Sequence, residues 1–531
     1  MIGCQIMQAR LLQATSILTA ALFAGCALGP NYRRPAVDSP ASFRDQKEQP
    51  TTESLADLAW WKVFRDPVLQ SLIREGLKNN YDLRIAITRI EQARAQQTQA
   101  RSQFFPQLGY SAGAERARGP GQRIPASSTS PTVMELDTPG GSTTLTVPGV
   151  NTPQTDIRGR TSNSFRVQGS FSWELDVWGR IRRSNEAALA RYLATEEARR
   201  GVIQTLVSEI AQTYFQLLEV DAELAIAKEA KVSFGQSLDL FTKQQSGGIA
   251  SDLEVARASA AMASAAAAIP EIEQQIRTIE NRLSFLLGRN PGPIKRGISL
   301  LAQKTPPRVP AGIPADLLTR RPDIRQAEQQ VVAANAEVGL AITNFLPVVD
   351  LTAAAGAVSP VLNEITTGKW TTWSLGSAIN GPLFKGGLLV GQYKEAKARW
   401  EETVLTYDRT ALNAFGEVSN ALIARQKSAE SRSQREQQVA ALRKSVQLAT
   451  DRYTIGISTY YEILEAQQQL FPAEQALVQT RLDQLLSVVD LYRALGGGWS
   501  EVIKSEGATS TKDVKKPGTA RIVKTTKTAK K

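Results

Sequence analysis

The 531-residue chain contains no histidine. That absence excludes His-activated nucleophiles, imidazole-ligated metal centres and axial haem histidines. Cysteine is nearly as scarce: Cys4 and Cys26 are the only two. Nothing downstream of them can form a thiolate metal cluster or an internal disulfide framework. With no nucleophile–base constellation to read, the chain is expected to be neither an enzyme nor a cofactor carrier. Long apolar runs are also missing. The best candidate, Ile17–Phe23, is far shorter than the roughly 20 residues a membrane-spanning helix needs. Charged residues at 21% and hydrophobic ones at 42% nevertheless fit an ordered protein.

Both cysteines sit early for a reason visible in the N-terminus. Arg10 precedes Leu11-Leu12 and the apolar stretch Ile17–Phe23, and the small residues Ala24 and Gly25 lead into Cys26. A basic flank, a short apolar core and a small-residue cleavage site describe a secretory signal over residues 1–25. Phe23-Ala24-Gly25-Cys26 resembles a bacterial lipobox, which implies lipidation at Cys26. Ala27, where retained lipoproteins carry Asp, implies sorting to the outer membrane.

Net charge is +12, which would suit a nucleic-acid binder. Its distribution argues otherwise. From residue 501 onward nine Lys/Arg face three acidic residues, a net +6, and Arg10 lies in the signal, so residues 26–500 carry only +5. The excess belongs to a Thr/Lys/Ala-rich tail without aromatics, expected to be a solvated extension with no nucleic-acid role.

Internal repetition organises the rest. Asp82-Leu83-Arg84 and Phe104-Phe105-Pro106 recur as Asp323-Ile324-Arg325 and Phe345-Leu346-Pro347, offset by 241. Ser237, Gly248, Ala258 and Leu287-Gly288 recur as Ser445, Gly456, Ala466 and Leu495-Gly496, offset by 208. The missing 33 residues fall in 118–160, rich in Gly, Pro, Ser and Thr, read as a long loop present in the first copy only. The chain is therefore read as a tandem repeat, residues 26–322 and 323–500, with a basic tail over 501–531.

Each copy shows the same order. A helix (about 80–104, then 323–345) ends at Pro106 or Pro347. Two strands follow, about 106–116 and 162–175, then about 348–358 and 370–380. Residues 165–175 set Phe165, Val167, Phe171, Trp173 and Leu175 against polar neighbours with period two. Long proline-poor helices close each copy, about 181–287 and 387–495. Val439, Leu442, Val446, Ala449 and Tyr453 step by three and four, a coiled-coil seam, and Ile203, Leu206, Ile210, Tyr214 and Leu217 repeat it more loosely. A helix over 387–453 runs roughly 100 Å at 1.5 Å per residue, a rod or tube wall. Four strands cannot close a membrane barrel, whose smallest single-chain form needs about eight, so identical copies are expected to pool theirs.

Several motifs then resemble a known family. Cys26-Ala27-Leu28-Gly29-Pro30-Asn31-Tyr32, Trp60-Trp61, Trp173-Glu174-Leu175-Asp176-Val177-Trp178-Gly179-Arg180, Leu317-Leu318-Thr319-Arg320-Arg321-Pro322-Asp323, Gly381-Pro382-Leu383-Phe384-Lys385-Gly386-Gly387 and Asp451-Arg452-Tyr453-Thr454-Ile455-Gly456 occur in order across about 26–500. Together they resemble the TolC-type outer-membrane efflux factors, in the OprM/NodT-like lipoprotein branch. The resemblance implies a mixed α+β membrane protein: a homotrimer in which four strands per chain build a twelve-stranded transmembrane β-barrel, continued by a long coiled-coil-like α-helical barrel. It further implies an exit duct, anchored in outer-membrane lipid, for a tripartite efflux pump with a periplasmic adaptor (membrane fusion) protein and an inner-membrane transporter of RND type. A duct for type I protein secretion shares the architecture and is the alternative.

The resemblance also supplies candidate sites. Gly248 and Gly456 mark the helix–turn tips and are candidate adaptor contacts; a reversal between long helices wants a residue that tolerates the left-handed region. Tyr453 matches the family's constriction tyrosine. Asp451 and Arg452 are candidates for pairing between copies. Glu462 and Glu465, spaced i,i+3 on one helix face, are candidates for an acidic ring at the tunnel mouth.

Overall fold

The computed structural model describes residues 27–44, 54–55, 58–118, 132–138, 141–147, 161–304 and 312–499. Cys26 and the basic tail lie outside them. Seven helices of more than ten residues and six strands occur among the described residues: α1 (Pro67–Asn79), α2 (Tyr81–Ser102), β1 (Gln107–Arg118), β2 (Thr132–Thr138), β3 (Gly141–Val147), β4 (Thr161–Leu175), α3 (Arg180–Ser246), α4 (Asp252–Leu286), α5 (Pro322–Thr343), β5 (Val348–Ser359), β6 (Thr371–Asn380), α6 (Leu388–Thr454) and α7 (Tyr460–Ala494).

The lengths pair off. α2 and α5 are each 22 residues, β1 and β5 each 12, α3 and α6 each 67, and α4 and α7 each 35. The four long helices share one ending. At Gly248, Gly288, Gly456 and Gly496 the chain turns through φ of 74, 70, 79 and 85°. In each case the following amide bonds back five residues, as Ile249 N–H does to the Gln244 carbonyl (2.8 Å) and Ile457 N–H to Arg452 (3.1 Å). This is the Schellman closure, which satisfies orphan carbonyls and requires the left-handed region.

Two units divide the described chain. The first takes residues up to 33, 93–192 and 330–403. Its four-stranded antiparallel sheet runs in the order β1-β4-β5-β6. Large apolar side chains point outward: Leu108 and Tyr110 on β1 are 81% and 92% exposed, and Trp373, Leu375 and Ile379 on β6 are 78, 77 and 71% exposed. Small or polar Thr352 and Ala354 of β5 are buried. That is the reverse of a soluble sheet, where the apolar face goes inward, and it matches a sheet whose outer face meets hydrocarbon. No described helix is long and apolar enough to cross a membrane.

The segment expected as loop 118–160 contains a hairpin: β2 pairs with β3, Thr138 opposite Gly141. Its β-branched runs flank Pro139-Gly140-Gly141, a hairpin pattern that the overall Gly/Ser/Thr composition conceals. The chain thus has six described strands rather than four, the additional two forming their own sheet.

The second unit takes residues 34–92, 193–329 and from 404 onward. Ile203, Leu206, Ile210, Tyr214 and Leu217 of α3 are all buried, as are Leu485, Val488, Val489 and Tyr492 of α7. Phe64 meets both Phe215 and Tyr492 edge-on, with centroids 6.3 and 6.2 Å apart. Asp66, 1% exposed, caps α1 through the Val68 amide (2.8 Å) and accepts from the Tyr214 hydroxyl (3.0 Å) and Gln303 Nε2 (2.8 Å). α4 and α7 continue through Pro270 and Pro472.

Candidate gating tip and anchor site

The two long-helix turns lie within one unit, and side chains join them. Tyr460, at the first position of α7, is the hub. Its ring stands edge-on to Phe241 of α3 (4.8 Å) and to Tyr453 of α6 (5.0 Å), and its hydroxyl lies 2.6 Å from the Ser237 hydroxyl. Burial raises the Tyr460 phenol above its ordinary value, only partly offset by the Ser237 bond, so it stays neutral at physiological pH. Gln244 near the end of α3 donates to the Tyr453 hydroxyl. Arg257 of α4 lies over the Tyr461 ring at 5.7 Å. One turn further in, Phe234, Ala265 and Leu464 form a small buried cluster.

Tyr453 is therefore half-buried in a contact between the two hairpins of one chain. Asp451, Arg452, Glu462 and Glu465 are exposed. Arg452 reaches across the turn to Glu462 (Nε–Oε2 3.5 Å) within the same chain. Gly248 and Gly456 project freely: a Cβ at either would meet nothing within 4 Å. Exposed Ile249, Leu253, Ile455 and Ile457 surround them. Gln244 and Tyr460 escaped the sequence reading, and Ser237 entered it only as a repeat landmark; the Tyr460-Tyr461 doublet just past the Gly456 break was the available signal.

A second site sits where β4 turns into α3. Asp176 accepts from the Ile181 and Arg182 amides (2.9 and 3.0 Å), capping the helix. Arg183, only 3% exposed, binds the segment just after Cys26: its Nε donates to the Leu28 carbonyl (3.0 Å), and Nη2 donates to the Gly29 carbonyl (3.1 Å) and Asn31 Oδ1 (2.9 Å). Asn335 of α5 donates to the Pro30 carbonyl (2.9 Å). Gly29 sits at φ 99°, so close to α5 that a Cβ would come within 2.5 Å of the Gly339 Cα. Residues 28–31 are thus fixed at the foot of the outward-apolar sheet.

A sheet that shows its apolar face outward, followed by paired 67- and 35-residue helices, defines a membrane-embedded transport protein with a helical extension. The sequence matches the outer membrane efflux protein profile over residues 72–289 and 313–497. It is 34% identical over 489 residues to the toluene efflux pump outer membrane protein TtgC of Pseudomonas putida, covering 91% of this chain and 95% of TtgC. It is 30% identical to the probable outer membrane lipoprotein SilC of Salmonella typhimurium, covering 92% and 99% of the two chains. The solved outer-membrane channel OprN superposes with a TM-score of 0.78 at 28% identity, covering 89% of this chain and all of that one. This chain belongs to the outer membrane efflux protein family.

Proposed function

We propose that this protein is the exit duct of a tripartite efflux pump, a homotrimer passing small molecules outward without chemistry of its own. Three copies pool four strands each into a twelve-stranded outer-membrane barrel, and their α3/α4 and α6/α7 hairpins form the wall of a periplasmic tunnel. The carrying observation is the sheet: its outer face is apolar while β1 and β6 are each paired on one side only. A solitary copy would leave both edges unsatisfied in hydrocarbon. The equal helix lengths and the Gly248/Gly456 closures support the two-copy repeat.

Cys26 carries the acyl anchor in outer-membrane lipid. Arg183 and Asn335 hold the residues beside it at the sheet's foot, where an acyl chain reaches the bilayer. The tips at Gly248 and Gly456 meet the adaptor, which couples the duct to an inner-membrane transporter of RND type. Tyr453 with Asp451, Arg452, Glu462 and Glu465 forms the gate. Threefold repetition gathers the carboxylates near one axis, favouring cations at the mouth.

A deletion strain should become sensitive to apolar solvents, dyes and antibiotics, and the purified protein should conduct ions in planar bilayers as a trimer. A deletion that leaves drug sensitivity untouched but blocks export of a secreted protein would replace efflux with secretion.

A further inference from the structure

One cavity of the second unit belongs to neither the tip nor the anchor site. About 610 Å³ in volume, it opens where the two repeats meet, between the starts of α2 and α5, the first half of α3, and α6 and the end of α7. That size falls among clefts that hold small ligands. Six charged side chains line it: Asp82, Glu209, Asp323, Glu417, Arg321 and Arg493. Arg321 is already committed. It pairs with Asp323 (2.6 Å) and Glu417 (2.7 Å) and donates to the Ala494 carbonyl (3.0 Å). Asp82 and Glu209 form no ion pair with any described residue. Arg493 also offsets the charge of Asp490 on α7. Four carboxylates thus answer to two guanidinium groups, and the cleft keeps a negative field.

A source of positive charge starts at its rim. Trp499, the last described residue, lies between two guanidinium groups, Arg200 of α3 at 4.9 Å and Arg325 of α5 at 5.9 Å from its ring centroid. Both arginines also bind buried Glu197, Arg325 at 2.8 Å. Each immediately precedes a residue of the cavity wall, Gly201 or Gln326. The chain then continues as residues 501–531, nine Lys/Arg against three acidic residues. Lys504 lies five positions past Trp499, an extended reach of at most about 18 Å, and Lys512, Lys515 and Lys516 follow within twelve more positions. The efflux protein profile stops at residue 497, so this basic stretch lies outside what the profile describes.

We propose that the lysines of residues 504–516 dock in this cavity of their own chain, with Asp82 and Glu209 receiving them. A tethered segment meets a neighbouring site at an effective concentration of about millimolar, so ion pairs too weak to hold a free peptide suffice. Docking there ties α2 and α3 of the first repeat to α5, α6 and α7 of the second. A tail that composition alone leaves in solvent becomes a salt-sensitive brace across the two repeats.

Carbodiimide coupling of the full-length protein tests this, because it joins an amine to a carboxylate only where the two touch. At about 50 mM salt, peptides carrying Lys504, Lys512, Lys515 or Lys516 should be joined to peptides carrying Asp82 or Glu209, in species of single-chain mass under denaturing conditions; at about 500 mM, where screening shortens to a few ångströms, the yield should fall severalfold. Glycinamide added as a free amine reads the carboxylates themselves. Combining Lys504→Gln, Lys512→Gln, Lys515→Gln and Lys516→Gln leaves every described residue in place. It should raise labelling of Asp82 and Glu209 severalfold and leave exposed Glu465 unchanged. Equal labelling of Asp82 and Glu209 with and without the four lysines would show an open cavity and overturn the proposal. So would lysine links that reach only carboxylates outside the cavity. Links confined to species of two or more chains would seat the tail on a neighbouring chain, which overturns it as well.

Discussion

Arg452 and Glu462 face each other at 3.5 Å across the second helical turn, while the residues 208 positions earlier, Gln244 and Glu254, go separate ways. Glu254 closes a capping box with Ser251, and Gln244 donates to Tyr453. Residues 208 positions apart thus stabilise a helix start in one hairpin and set surface charge in the other. The Arg452–Glu462 pair is exposed, and exposed pairs contribute roughly 0–1 kcal/mol. Arg452→Ala should therefore leave thermal stability within about 1 kcal/mol of the parent while shifting the reversal potential toward stronger cation selectivity. Glu462→Gln with Glu465→Gln should shift it the other way, most at low salt. Selectivity indifferent to both changes would remove these residues from the conduction path.

Tyr460 decides whether the two hairpin ends behave as one body. Replacing it with Ala deletes ring contacts to both Phe241 and Tyr453 and should cost about 2–4 kcal/mol of local stability, given typical losses on truncating aromatic packing and the residue's half-buried position. Amide exchange over 237–249 and 450–465 should accelerate together, and single-channel conductance should rise as the tip loosens. Tyr460→Phe keeps the rings and loses only the Ser237 bond, about 1 kcal/mol. Equal effects from Phe and Ala would show that the hydroxyl, not the packing, holds the tip.

Gly456 and Gly248 separate conformational cost from contact cost. Each turns through positive φ, and a methyl group added at either Cα would meet no neighbour within 4 Å. Gly456→Val should cost about 1–2 kcal/mol from backbone strain alone, and Gly456→Asn much less, because Asn visits that region readily. If the tips are adaptor contacts, adaptor cross-linking should fall with bulk, Val and Asn alike, whereas stability should fall only with Val. Cross-linking that tracks stability instead would assign both glycines a purely structural part.

What the sequence disclosed was whatever repeats at a fixed period. Phe165, Val167, Phe171, Trp173 and Leu175 announced a strand by alternation, and Ile203 through Leu217 announced a buried helix stripe; strand and stripe are both present. Gly248 and Gly456 stood out because only left-handed closure explains glycine between long helices. The β2–β3 hairpin was hidden, since its Thr-rich strands share the composition of their loop. Contacts between distant segments were hidden too. Nothing local in Ser237 or Arg183 signals that one meets Tyr460 and the other grips residues 28–31. Tyr453 stood out by resemblance, but its partner Gln244, 209 positions away, did not.

Glu219 gives the second unit a pH dependence whose sign follows from its surroundings. The side chain is 7% exposed on α3, and burial, reinforced by Glu223 one turn on and Asp483 of α7, pushes its carboxyl up to about 8. In the unfolded chain the same group titrates near 4.5. Below that value both states carry the proton and the group is neutral to stability. As pH rises from there toward 8 the unfolded chain releases a proton that the folded chain retains, so stability falls, and above 8 the loss is complete. The full span amounts to a few kcal/mol, on the order of 1.4 for each pH interval of one. Glu219→Gln cannot ionise and keeps the shape, so its apparent melting temperature should pull ahead of the parent's between pH 5 and pH 9, with little difference at pH 5. Glu223→Gln, which removes the nearest charge, should recover part of the same gap. Parallel melting curves for parent and Glu219→Gln across that range would mean that water or a neighbouring copy already solvates this carboxylate in the assembled channel.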